Sequence, residues 1–386
     1  MERMRVCRIA TVPFFLHHHL GGQIAATARE GHEVHAVSSA GPEDVEIARL
    51  EGVIFYPVTI SRQISIFSDF RALLALYRYF RRQRFDIVHS ATPKAGLLTA
   101  IAGALARIPL RLHTFTGQAW SELSGPVRWV SKLSDRLIVL LNTRCYADSH
   151  SQRDFLVSES IARSGQIDVL GYGSLSGVDL KRFNLEKRAA AGLPIKESLR
   201  IPNTAKVITF VGRLSKDKGI VELIAAFEQL STRTSNDVYL VLVGPGDSRD
   251  GTLPADTRSK LSGNPRIRVV GYSAHPEDYL AMTDVFCIPS YREGFGNVVI
   301  EAAAMGIPTV ATRIVGLIDA VTDGVTGILV PAKDVTSLAN ALSLIVSADK
   351  LREKMGQAAQ LRAVSMFDAD SVNRLVLEEY RRLVAP

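Results

Sequence analysis

The sequence predicts an α/β protein with two domains, each built on a doubly wound parallel sheet. Short apolar runs alternate with amphipathic segments up to about Phe183, and a second series of the same kind starts near Ala205. Such alternation is typical of βαβ units, whose strands run parallel. The chain has 386 residues, which exceeds the size of one ordinary hydrophobic core. We therefore expect two domains rather than one.

The first domain is predicted to cover residues 1–185. Its apolar runs have the length of buried strands, and the segments between them repeat apolar residues at helical spacing. Gly31 follows the first predicted helix, at a position where helices commonly end. The expected strands are Val6–Val12, Val34–Ser38, Val53–Val58, Ile87–Ser90, Leu110–Thr114 and Cys145–Ala147, and the expected helices are Leu20–Arg29, 70–85, Leu97–Ala106 and 127–141.

The second domain is predicted over residues 205–366 by the same criteria. The stretch before it, 186–204, carries proline and lysine residues and is interpreted as a linker. Residues 367–386 contain one further predicted helix, Ala369–Val384. The expected strands are Val207–Val211, Val238–Val243, Ile267–Val270, Val285–Ile288, Thr309–Ala311 and Gly327–Val330, and the expected helices are Ile220–Leu230, Ser337–Val346 and Lys350–Met366.

Cysteine placement, the charges near the N-terminus and the length of the apolar runs indicate the cellular location of the protein. Cys7, Cys145 and Cys287 are scattered without metal-site spacing, which favours free thiols in a reducing cytoplasm. Arg5 and Arg8 interrupt the apolar N-terminus, so no secretory signal is expected. The longest mostly apolar run, 95–106, is too short to span a bilayer. We expect a cytoplasmic protein that is at most peripheral on a membrane.

Basic residues exceed acidic ones, giving a formal net charge of +7. Residues 70–85 combine aromatic residues, leucines and five arginines, with a predicted apolar stripe at positions 73, 74, 77 and 80. This pattern fits a helix on the anionic inner face of the cytoplasmic membrane. An ordinary surface helix packed on its sheet fits equally well. No signature of a nucleic-acid-binding module is present, so we expect no nucleic-acid partner.

Two glutamates, Glu293 and Glu301, flank a predicted turn and helix start. The apolar run before them predicts a buried strand, and the helix is expected to open near Gly296 or Asn297. Amide groups at a helix N-terminus bind anions. A carboxylate at each end of an anion site suits a ligand with a polyol, a phosphate and a second polyol in order, as in a nucleotide sugar. The same spacing also occurs by chance in helical proteins.

A second motif lies about eighty residues earlier. The strand Val207–Val211 leads into Gly212, and a polar loop with Arg213 and Lys218 precedes the next helix. Ligands of open α/β sheets bind at the carboxyl ends of the strands. Two cations at that position would hold a diphosphate and stabilise it as a leaving group. The alternative is a solvated basic loop.

Together the two motifs resemble the E-x7-E and G-R-L-x-x-x-K-G elements of glycosyltransferase family 4, and the resemblance covers essentially the whole chain. It implies the GT-B fold, with two Rossmann-like domains facing across a cleft, and retaining, metal-independent transfer without a cofactor. It implies a catalytic role for Glu293, Arg213, Lys218 and His113. It also implies a UDP-sugar donor, bound by Gly22, Gly212, Gly294, Phe295, Gly296, Asn297, Val298 and Glu301.

Three further segments, 89–96, 111–120 and 169–179, resemble a subgroup that adds hexoses or N-acetylhexosamines to polyprenyl-diphosphate-linked sugars. Members of this subgroup work in capsule, O-antigen (lipopolysaccharide) or glycoprotein oligosaccharide assembly. The resemblance implies acceptor contacts from Thr92, Lys94, Gln118 and Trp120. Lys94 could meet an acceptor phosphate and Trp120 could stack on a sugar. A solvated helix start remains the alternative for Lys94, and a structural histidine remains the alternative for His113.

Other features are less specific. Gly22 and its neighbour Gly21 stand where the family has a glycine loop after the first strand. Consecutive histidines at 17–19 diverge along the chain and have no Cys or His cluster beside them, which argues against a metal site. Many members of the resembled family carry a Gly-Gly-x-x-Glu turn after the strand Thr309–Ala311. This chain has Gly316 in that turn but Asp319 in place of the glutamate and an unusual Ile314, so the resemblance does not extend to the donor contacts of that turn. By resemblance, the last helix is expected to cross back onto the first domain.

Two rival functions remain open from sequence. A sugar-nucleotide 2-epimerase of the same fold would need acid and base carboxylates in the first domain, where Asp86 and Asp148 are poor candidates. A catalytically silent sugar-nucleotide-binding subunit would not need the charged motif residues to be intact. The sequence favours a glycosyltransferase over both.

Overall fold

The computed structural model describes residues 3–61, 65–233, 237–246 and 253–385. The chain forms two compact units, each with its own parallel sheet. The first unit comprises Met1–Gly177 together with Ala369–Pro386, and the second comprises Val178–Asp368. The predicted α/β class with doubly wound parallel sheets is confirmed.

The strands, in chain order, are β1 Arg5–Ile9, β2 Glu33–Ser38, β3 Val53–Pro57, β4 Ile87–Ala91, β5 Leu110–Phe115, β6 Arg144–Ala147, β7 Ile167–Val169, β8 Lys206–Val211, β9 Val238–Val243, β10 Ile267–Gly271, β11 Val285–Ile288, β12 Thr309–Thr312 and β13 Gly327–Val330. Most of their side chains are buried on both faces, as expected of parallel sheets covered by helices.

The helices are α1 Pro13–Phe15, α2 Gly21–Arg29, α3 Asp44–Ala48, α4 Ile66–Gln83, α5 Pro93–Ala106, α6 Gly125–Leu141, α7 His150–Ser158, α8 Leu185–Ser198, α9 Ile220–Arg233, α10 Ala255–Gly263, α11 Pro276–Ala281, α12 Asn297–Ala304, α13 Leu317–Ala320, α14 Val335–Ser347, α15 Asp349–Met366 and α16 Ala369–Val384. A π-helical turn, Leu16–Leu20, joins α1 to α2, and short 3-10 turns occupy Ala119–Glu122 and Lys216–Lys218.

In the first unit the strand order is β3-β2-β1-β4-β5-β6-β7. The order reverses between β1 and β4, so the loops after these two strands open at a switch point. Helix α16, far away in sequence, packs on α2 in this unit. A buried polar network fixes it there, because Arg8 of β1 contacts both Tyr380 of α16 and His89 of β4.

In the second unit the strand order is β10-β9-β8-β11-β12-β13, and all the pairs are parallel. Here the order reverses between β8 and β11, which are neighbours. The two sequence motifs follow these two strands. The topology therefore brings them to one edge of the sheet, at its switch point.

Predicted elements agree with the observed ones to within a few residues, but three segments differ. The stretch interpreted as a linker contains α8, which packs against α11. Asn184 caps this helix by accepting a hydrogen bond from the amide of Lys187 at 2.8 Å. Its Gly192 and Pro194, together with a weak apolar repeat, hid the helix from the sequence pattern.

Gly21 and Gly22 do not form the glycine loop that the resemblance implied after β1, because they open helix α2, in agreement with the predicted helix Leu20–Arg29. A side chain at Gly22 would lie 3.0 Å from the Asn373 amide nitrogen, so this glycine lets α16 approach. The predicted stripe on α4 also differs from a membrane-facing one. Phe80 is fully buried, and Leu73 and Tyr77 pack against the core.

Candidate active site

The two motif loops of the second unit touch at the edge of the sheet. Lys218 follows β8 and Glu293 follows β11, and the distance from Lys218 Nζ to Glu293 Oε1 is 2.5 Å. The amide of Tyr291 also donates to the carbonyl of Asp217 at 2.9 Å. Residues 75 positions apart are thus joined by the parallel pairing of their strands.

Glu293 is held by more than Lys218. Ser290 donates to the same carboxylate oxygen at 2.7 Å, and Thr312 of β12 in turn binds the Ser290 carbonyl. The side chains of Lys218 and Glu293 keep 19% and 14% of their surface exposed. This ion pair is therefore anchored from three strands yet reachable by a ligand.

The carboxylate of Asp217 lies between the two arginines of this edge, Arg213 and Arg292. Its carboxylate lies 3.4 Å from Arg213 and 3.6 Å from Arg292, and Ser215 donates a hydrogen bond to it. Partial burial opposes its ionisation, but this hydrogen bond and the surrounding cations hold the pKa of Asp217 below its usual value. The carboxylate is thus ionised, and Arg213 stays about half exposed, with 52% of its side chain in solvent.

Two glycines shape the turn that leads from Glu293 into α12. Gly296 has φ +86° and a Cβ there would lie 2.6 Å from Leu317. Gly316 also has φ +86°, and its Cβ would lie 2.1 Å from the carbonyl oxygen of Gly294. Both positions exclude other residues by conformation and by space. Helix α12 begins at Asn297, as predicted, with the amides of its first turn at the positive end of the helix.

Glu301 lies one turn further along α12 and is half-buried. Burial raises the pKa of Glu301 to about 7, against the attraction of Arg182, and the charge of Glu277 adds to the rise. Arg182 itself holds Glu277 through two nitrogens, at 2.7 and 3.2 Å. Among the described residues, no side chain forms a hydrogen bond with Glu301, so its carboxylate is available to a ligand.

The side chain of Phe295, a predicted donor-binding residue, is buried. Its ring is 3% exposed and packs against Phe367 at 5.2 Å between centroids. Val298 packs against the same apolar core as Phe295 and Phe367. Only the main chain of these two residues can therefore contribute to donor binding. Gly212 directly follows β8 and lies next to Gly244, which directly follows the neighbouring strand β9.

In the first unit, Thr92 and Lys94 lie at the carboxyl end of β4. Thr92 stands at the N-cap position of α5 without a side-chain capping hydrogen bond, and its φ of +72° is unusual for a β-branched residue. Its hydroxyl exchanges a 2.8 Å hydrogen bond with Thr11. Lys94 pairs with Asp69 of α4 at 2.6 Å. A strained residue that its neighbours hold in place is typical of functional sites.

His113 is 1% exposed, and Ser90 holds its Nδ1 at 2.9 Å. A Cβ at Gly96 would lie 2.4 Å from the imidazole, so α5 packs directly on the ring. Burial lowers the pKa of His113 to about 3, which keeps the ring neutral. This placement fits the structural histidine left open from sequence, and the catalytic role of His113 that the resemblance implies stays a prediction.

Gln118 and Trp120 also differ from their predicted roles. Trp120 is 3% exposed, stacks on Phe155 and donates to Asp135 at 2.7 Å. Gln118 is buried and binds Gln152. Burial raises the pKa of Asp135 to about 6, while hydrogen bonds from Trp120 and Gln118 oppose the rise. The pair belongs to a buried network and offers no surface to an acceptor.

Sequence reasoning missed Ser290, Asp217 and the Arg182–Glu277 pair. None of these residues stands at a position that either sequence motif specifies. Each affects a motif residue through a hydrogen bond, an ion pair or its charge. The histidines at 17–19 lie in the π-helical turn. Within the described ranges, no group of three or more His, Cys, Asp or Glu side chains is arranged to hold a metal.

Family models match both halves of the chain. The model described as "Glycosyl transferases group 1" matches residues 194–362, and the model described as "Glycosyl transferase 4-like domain" matches residues 16–173. The chain is 30% identical over 351 residues to the capsular polysaccharide biosynthesis glycosyltransferase CapM of Staphylococcus aureus, covering 91% of this chain and 90% of that protein.

Two further relatives differ in the acceptors that their names state. An Escherichia coli UDP-Gal:alpha-D-GlcNAc-diphosphoundecaprenol alpha-1,3-galactosyltransferase is 27% identical, covering 81% of this chain and 80% of the relative. A D-inositol 3-phosphate glycosyltransferase of Corynebacterium efficiens is 38% identical over 71% of this chain and 66% of the relative.

Solved structures share the fold. A sucrose-phosphate synthase from Thermosynechococcus elongatus has a TM-score of 0.82 at 21% identity, covering 99% of both chains. The Anabaena protein HepE, in complex with UDP and glucose, has a TM-score of 0.79 at 20% identity, covering 98% of this chain and all of its own. With its two parallel sheets and its relatives, this chain belongs to the glycosyltransferases of the family 4 type and has the GT-B fold.

Proposed function

We propose that this enzyme transfers a hexose or N-acetylhexosamine from a UDP-sugar to a lipid-diphosphate-linked saccharide, with retention of anomeric configuration. The pathway would be assembly of a bacterial surface polysaccharide or of a glycoprotein oligosaccharide. The observation that carries the proposal is the Lys218–Glu293 pair, which places a cation and a carboxylate beside the N-terminus of α12. The name of the undecaprenol-linked relative supports the acceptor class, and the name of the capsular relative supports the pathway.

Each part of the donor matches a feature of this edge. Glu301 accepts hydrogen bonds from the ribose hydroxyls, because its carboxylate is the acceptor on α12 that no described side chain occupies. The diphosphate lies against the first turn of α12 and against Arg213 and Lys218. Gly294, Gly296 and Gly212 let the main chain approach it. Glu293 holds a sugar hydroxyl and stabilises positive charge that develops on the ring.

The reaction breaks the bond between the anomeric carbon and the phosphate oxygen and forms a bond to an acceptor hydroxyl oxygen. The acceptor proton passes to the departing phosphate oxygen, on the same face of the sugar. No protein base is required on this route. The contribution of the chain is to position the reactants and to stabilise the leaving diphosphate with cations.

The acceptor half of the site is proposed at the carboxyl end of β4. Lys94 supplies a cation for the acceptor diphosphate, and Thr92 is fixed beside it by Thr11. Lys94 already has Asp69 as a partner, so an acceptor phosphate must compete with that carboxylate. Gln118, Trp120 and His113 act from within the core, by holding β5 and the segment after it in place.

D-inositol 3-phosphate is the second candidate acceptor. The observation that favours it is the 38% identity to the Corynebacterium efficiens relative. Both candidates carry a phosphate, so Lys94 suits either. The donor half of the proposal is the same in the two cases.

A transfer assay separates the candidates. The full chain is incubated with UDP-galactose, UDP-glucose or UDP-N-acetylglucosamine, and with undecaprenyl-diphosphate-linked N-acetylglucosamine or D-inositol 3-phosphate. We expect transfer to the lipid-linked sugar and an α-anomeric proton coupling in the NMR spectrum of the product. Glu353→Gln, an exposed change on α15, serves as the matched control for Glu293→Gln. Transfer to inositol phosphate alone, or a β-linked product, would contradict the proposal.

A further inference from the structure

A groove lies between α8 and α11 of the second unit, at the edge of the sheet where the strands begin. Its volume is about 350 Å³, which is within the range of small-molecule sites. The proposed donor site lies at the opposite edge, where β8 and β11 end. We call this feature the α8–α11 groove. Its lining combines apolar and charged side chains and includes Leu185, Leu193, Met282, Arg188, Lys196 and Asp284.

The two helices that form the groove touch through their backbones. A Cβ at Gly192 of α8 would lie 2.9 Å from the carbonyl oxygen of Ala281 of α11, so the glycine allows this close approach. Leu185 and Leu193 of α8 remain 51% and 56% exposed at the rim. The walls are therefore fixed by packing, and the leucines offer apolar surface to the organic part of a ligand.

Arg188 is held in the groove by carbonyl oxygens alone. Its guanidinium donates to the carbonyls of Met305 and Gly306, just after α12, at 3.0 and 2.8 Å. It also donates to the carbonyl of Thr283, shortly after α11, at 3.1 Å. These bonds use three of the five N–H groups of the guanidinium. Among the residues that the structure describes, no carboxylate forms an ion pair with Arg188.

Lys196 is held in the same way, two turns further along α8. Its residue is 9% exposed, and its ammonium group donates to the carbonyls of Ala205 and Asn203 at 2.8 and 3.3 Å. These bonds use two of its three N–H groups. No carboxylate within the described ranges pairs with Lys196 either. Donors of both cations thus remain for a ligand.

The charged ends of the two side chains converge, although eight positions separate them along α8. Thr283, which binds Arg188, lies just before β11, and Ala205, which binds Lys196, lies just before β8. These strands are paired neighbours, and neighbouring strands are about 4.8 Å apart. The strand starts therefore bring both cations to one end of the groove.

The charges around the two α8 cations do not balance. Burial lowers the pKa of both, and the charge of Asp284 opposes the fall. Asp284 also lies 3.9 Å from Lys206 and 3.8 Å from Arg352, and these two cations share Asp349 as a second partner. Counted over these described groups, four cations and two carboxylates leave an excess of two positive charges.

We propose that the α8–α11 groove binds a phosphate monoester, with the phosphate at Arg188 and Lys196 and the organic part against Leu193 and Met282. The second pKa of such an ester is about 6, so at neutral pH it carries close to two negative charges, which match the excess of the cluster. Its oxygens accept charge-assisted hydrogen bonds from the remaining N–H groups. This site is separate from the donor site and does not rest on the proposed function.

Isothermal titration calorimetry of the full chain with phenyl phosphate tests the proposal. Phenyl phosphate combines a dianion with an apolar ring, and benzenesulfonate has the same ring with a single negative charge. In a phosphate-free buffer above pH 7, we expect phenyl phosphate to bind with a Kd of about 1 mM or lower. Benzenesulfonate should bind at least about ten-fold more weakly. Equal affinity for the two probes, or no binding of phenyl phosphate, overturns the proposal.

Lys196→Met should weaken the binding of phenyl phosphate about ten-fold, because it removes a charged hydrogen-bond donor. The matched control is Lys187→Met, which removes a second lysine of α8, paired with Asp278 at 2.7 Å. The control should bind phenyl phosphate like the wild type. Equal losses in the two variants would show that the anion does not sit at Lys196 and would overturn the proposal.

Leu193→Glu keeps the proposal testable if Lys196→Met does not fold. Leu193 is exposed at the rim, so a glutamate there leaves the core intact and places a like charge beside the phosphate. It should weaken binding about five-fold. Leu361→Glu, at an exposed leucine of α15, changes the net charge equally and should have no effect. Unchanged affinity in Leu193→Glu would contradict the proposed position of the phosphate.

A soluble ester and a lipid headgroup can carry the same phosphate, so a second arm uses vesicles that contain phosphatidic acid. In the part of the chain that the structure describes, no helix is long and apolar enough to cross a bilayer. We expect the vesicles not to displace phenyl phosphate, because the cations lie at the strand starts behind the leucine rim. Displacement that Lys196→Met abolishes would identify a lipid as the source of the phosphate in the same site.

Titration in the presence of saturating UDP separates this site from the donor site. The affinity for phenyl phosphate should stay within about two-fold of its value without UDP, because the two sites lie at opposite edges of the sheet. Competition by UDP would place the anion at the donor site and overturn the proposal. If UDP itself does not bind, the donor site is refuted, and the α8 variants still decide the phosphate site.

Discussion

The two units present their motif residues in opposite ways. In the second unit, Lys218, Glu293 and Arg213 remain partly exposed at the edge of the sheet. In the first unit, three of the predicted residues, His113, Gln118 and Trp120, are at most 5% exposed. A motif that follows a strand can therefore stay open to a ligand in one unit and belong to a packing network in the other.

Hydrogen-bond partners explain the difference. Trp120 and His113 have their polar atoms paired with Asp135 and Ser90. Glu293 has partners too, but these leave part of the carboxylate in solvent. The contrast predicts that substitutions in the second unit impair catalysis at wild-type stability, whereas substitutions of the buried residues of the first unit impair folding.

The largest effect is expected from the Lys218–Glu293 pair. Glu293→Gln and Lys218→Met should each lower kcat by about 10²–10³, comparable to the loss of an oxyanion donor. The double variant should lose less than the product of the single losses, because the two side chains act through one contact. Steady-state transfer kinetics measure this, and unchanged melting temperatures establish that folding is intact.

If kcat fell by less than about ten-fold in these variants, the Lys218–Glu293 pair would have no role in the chemical step. The control is Glu353→Gln together with Lys354→Met, two exposed substitutions on α15. These should leave kcat unchanged.

Trp120→Ala should destabilise the first unit by about 3–5 kcal/mol, because it leaves a cavity and removes a hydrogen bond from buried Asp135. Chemical denaturation monitored by circular dichroism measures the loss. Trp129→Ala, which removes an exposed tryptophan from α6, is the control and should cost little. If Trp120→Ala instead raised the acceptor KM at full stability, Trp120 would belong to the site after all.

The donor-binding role proposed for Glu301 predicts a pH dependence that has opposite signs for UDP binding and for stability. Its pKa in the folded chain is about 7, raised from the usual 4.5 by burial. Ribose binding needs the carboxylate, so the ratio of wild-type to Glu301→Gln affinity for UDP should fall by up to about ten-fold from pH 8 to pH 6. Taking the ratio cancels the titration of UDP itself.

For stability the sign reverses. The folded state holds the Glu301 proton more tightly than the unfolded chain, so its contribution to stability declines as pH rises from about 4.5 to about 7. Glu301→Gln without ligand should therefore raise the melting temperature at pH 8 and change it little at pH 4. A variant less stable than the wild type at pH 8 would show that Glu301 has a structural partner.

Lys94→Ala should have the smallest effect, a rise in acceptor KM of roughly five- to ten-fold with kcat nearly unchanged, as for the loss of one charge contact. Asp69→Asn should lower that KM, since it frees the ammonium from its competitor. Acceptor titrations at saturating donor measure both. Equal effects of the two variants would mean that the ion pair matters for structure alone.

The sequence predicted the fold closely because apolar runs and helical repeats are local signals. It predicted that α12 opens near Gly296 or Asn297 for the same reason, since a glycine in a turn is a local signal of a helix start, and the helix begins at Asn297. The burial of His113 and Trp120 could not be predicted from the sequence, because their hydrogen-bond partners Ser90 and Asp135 lie on other elements. Helix α8 was missed because Pro194 and Gly192 resemble linker residues.

The most direct test of the donor site is thermal shift with UDP, GDP, ADP and NAD on the wild type, Glu301→Gln and the control Glu353→Gln. The account predicts strong stabilisation by UDP, at least about ten-fold weaker binding in Glu301→Gln, and wild-type behaviour in the control. A shift that does not depend on Glu301, or no shift with any nucleotide, would contradict it.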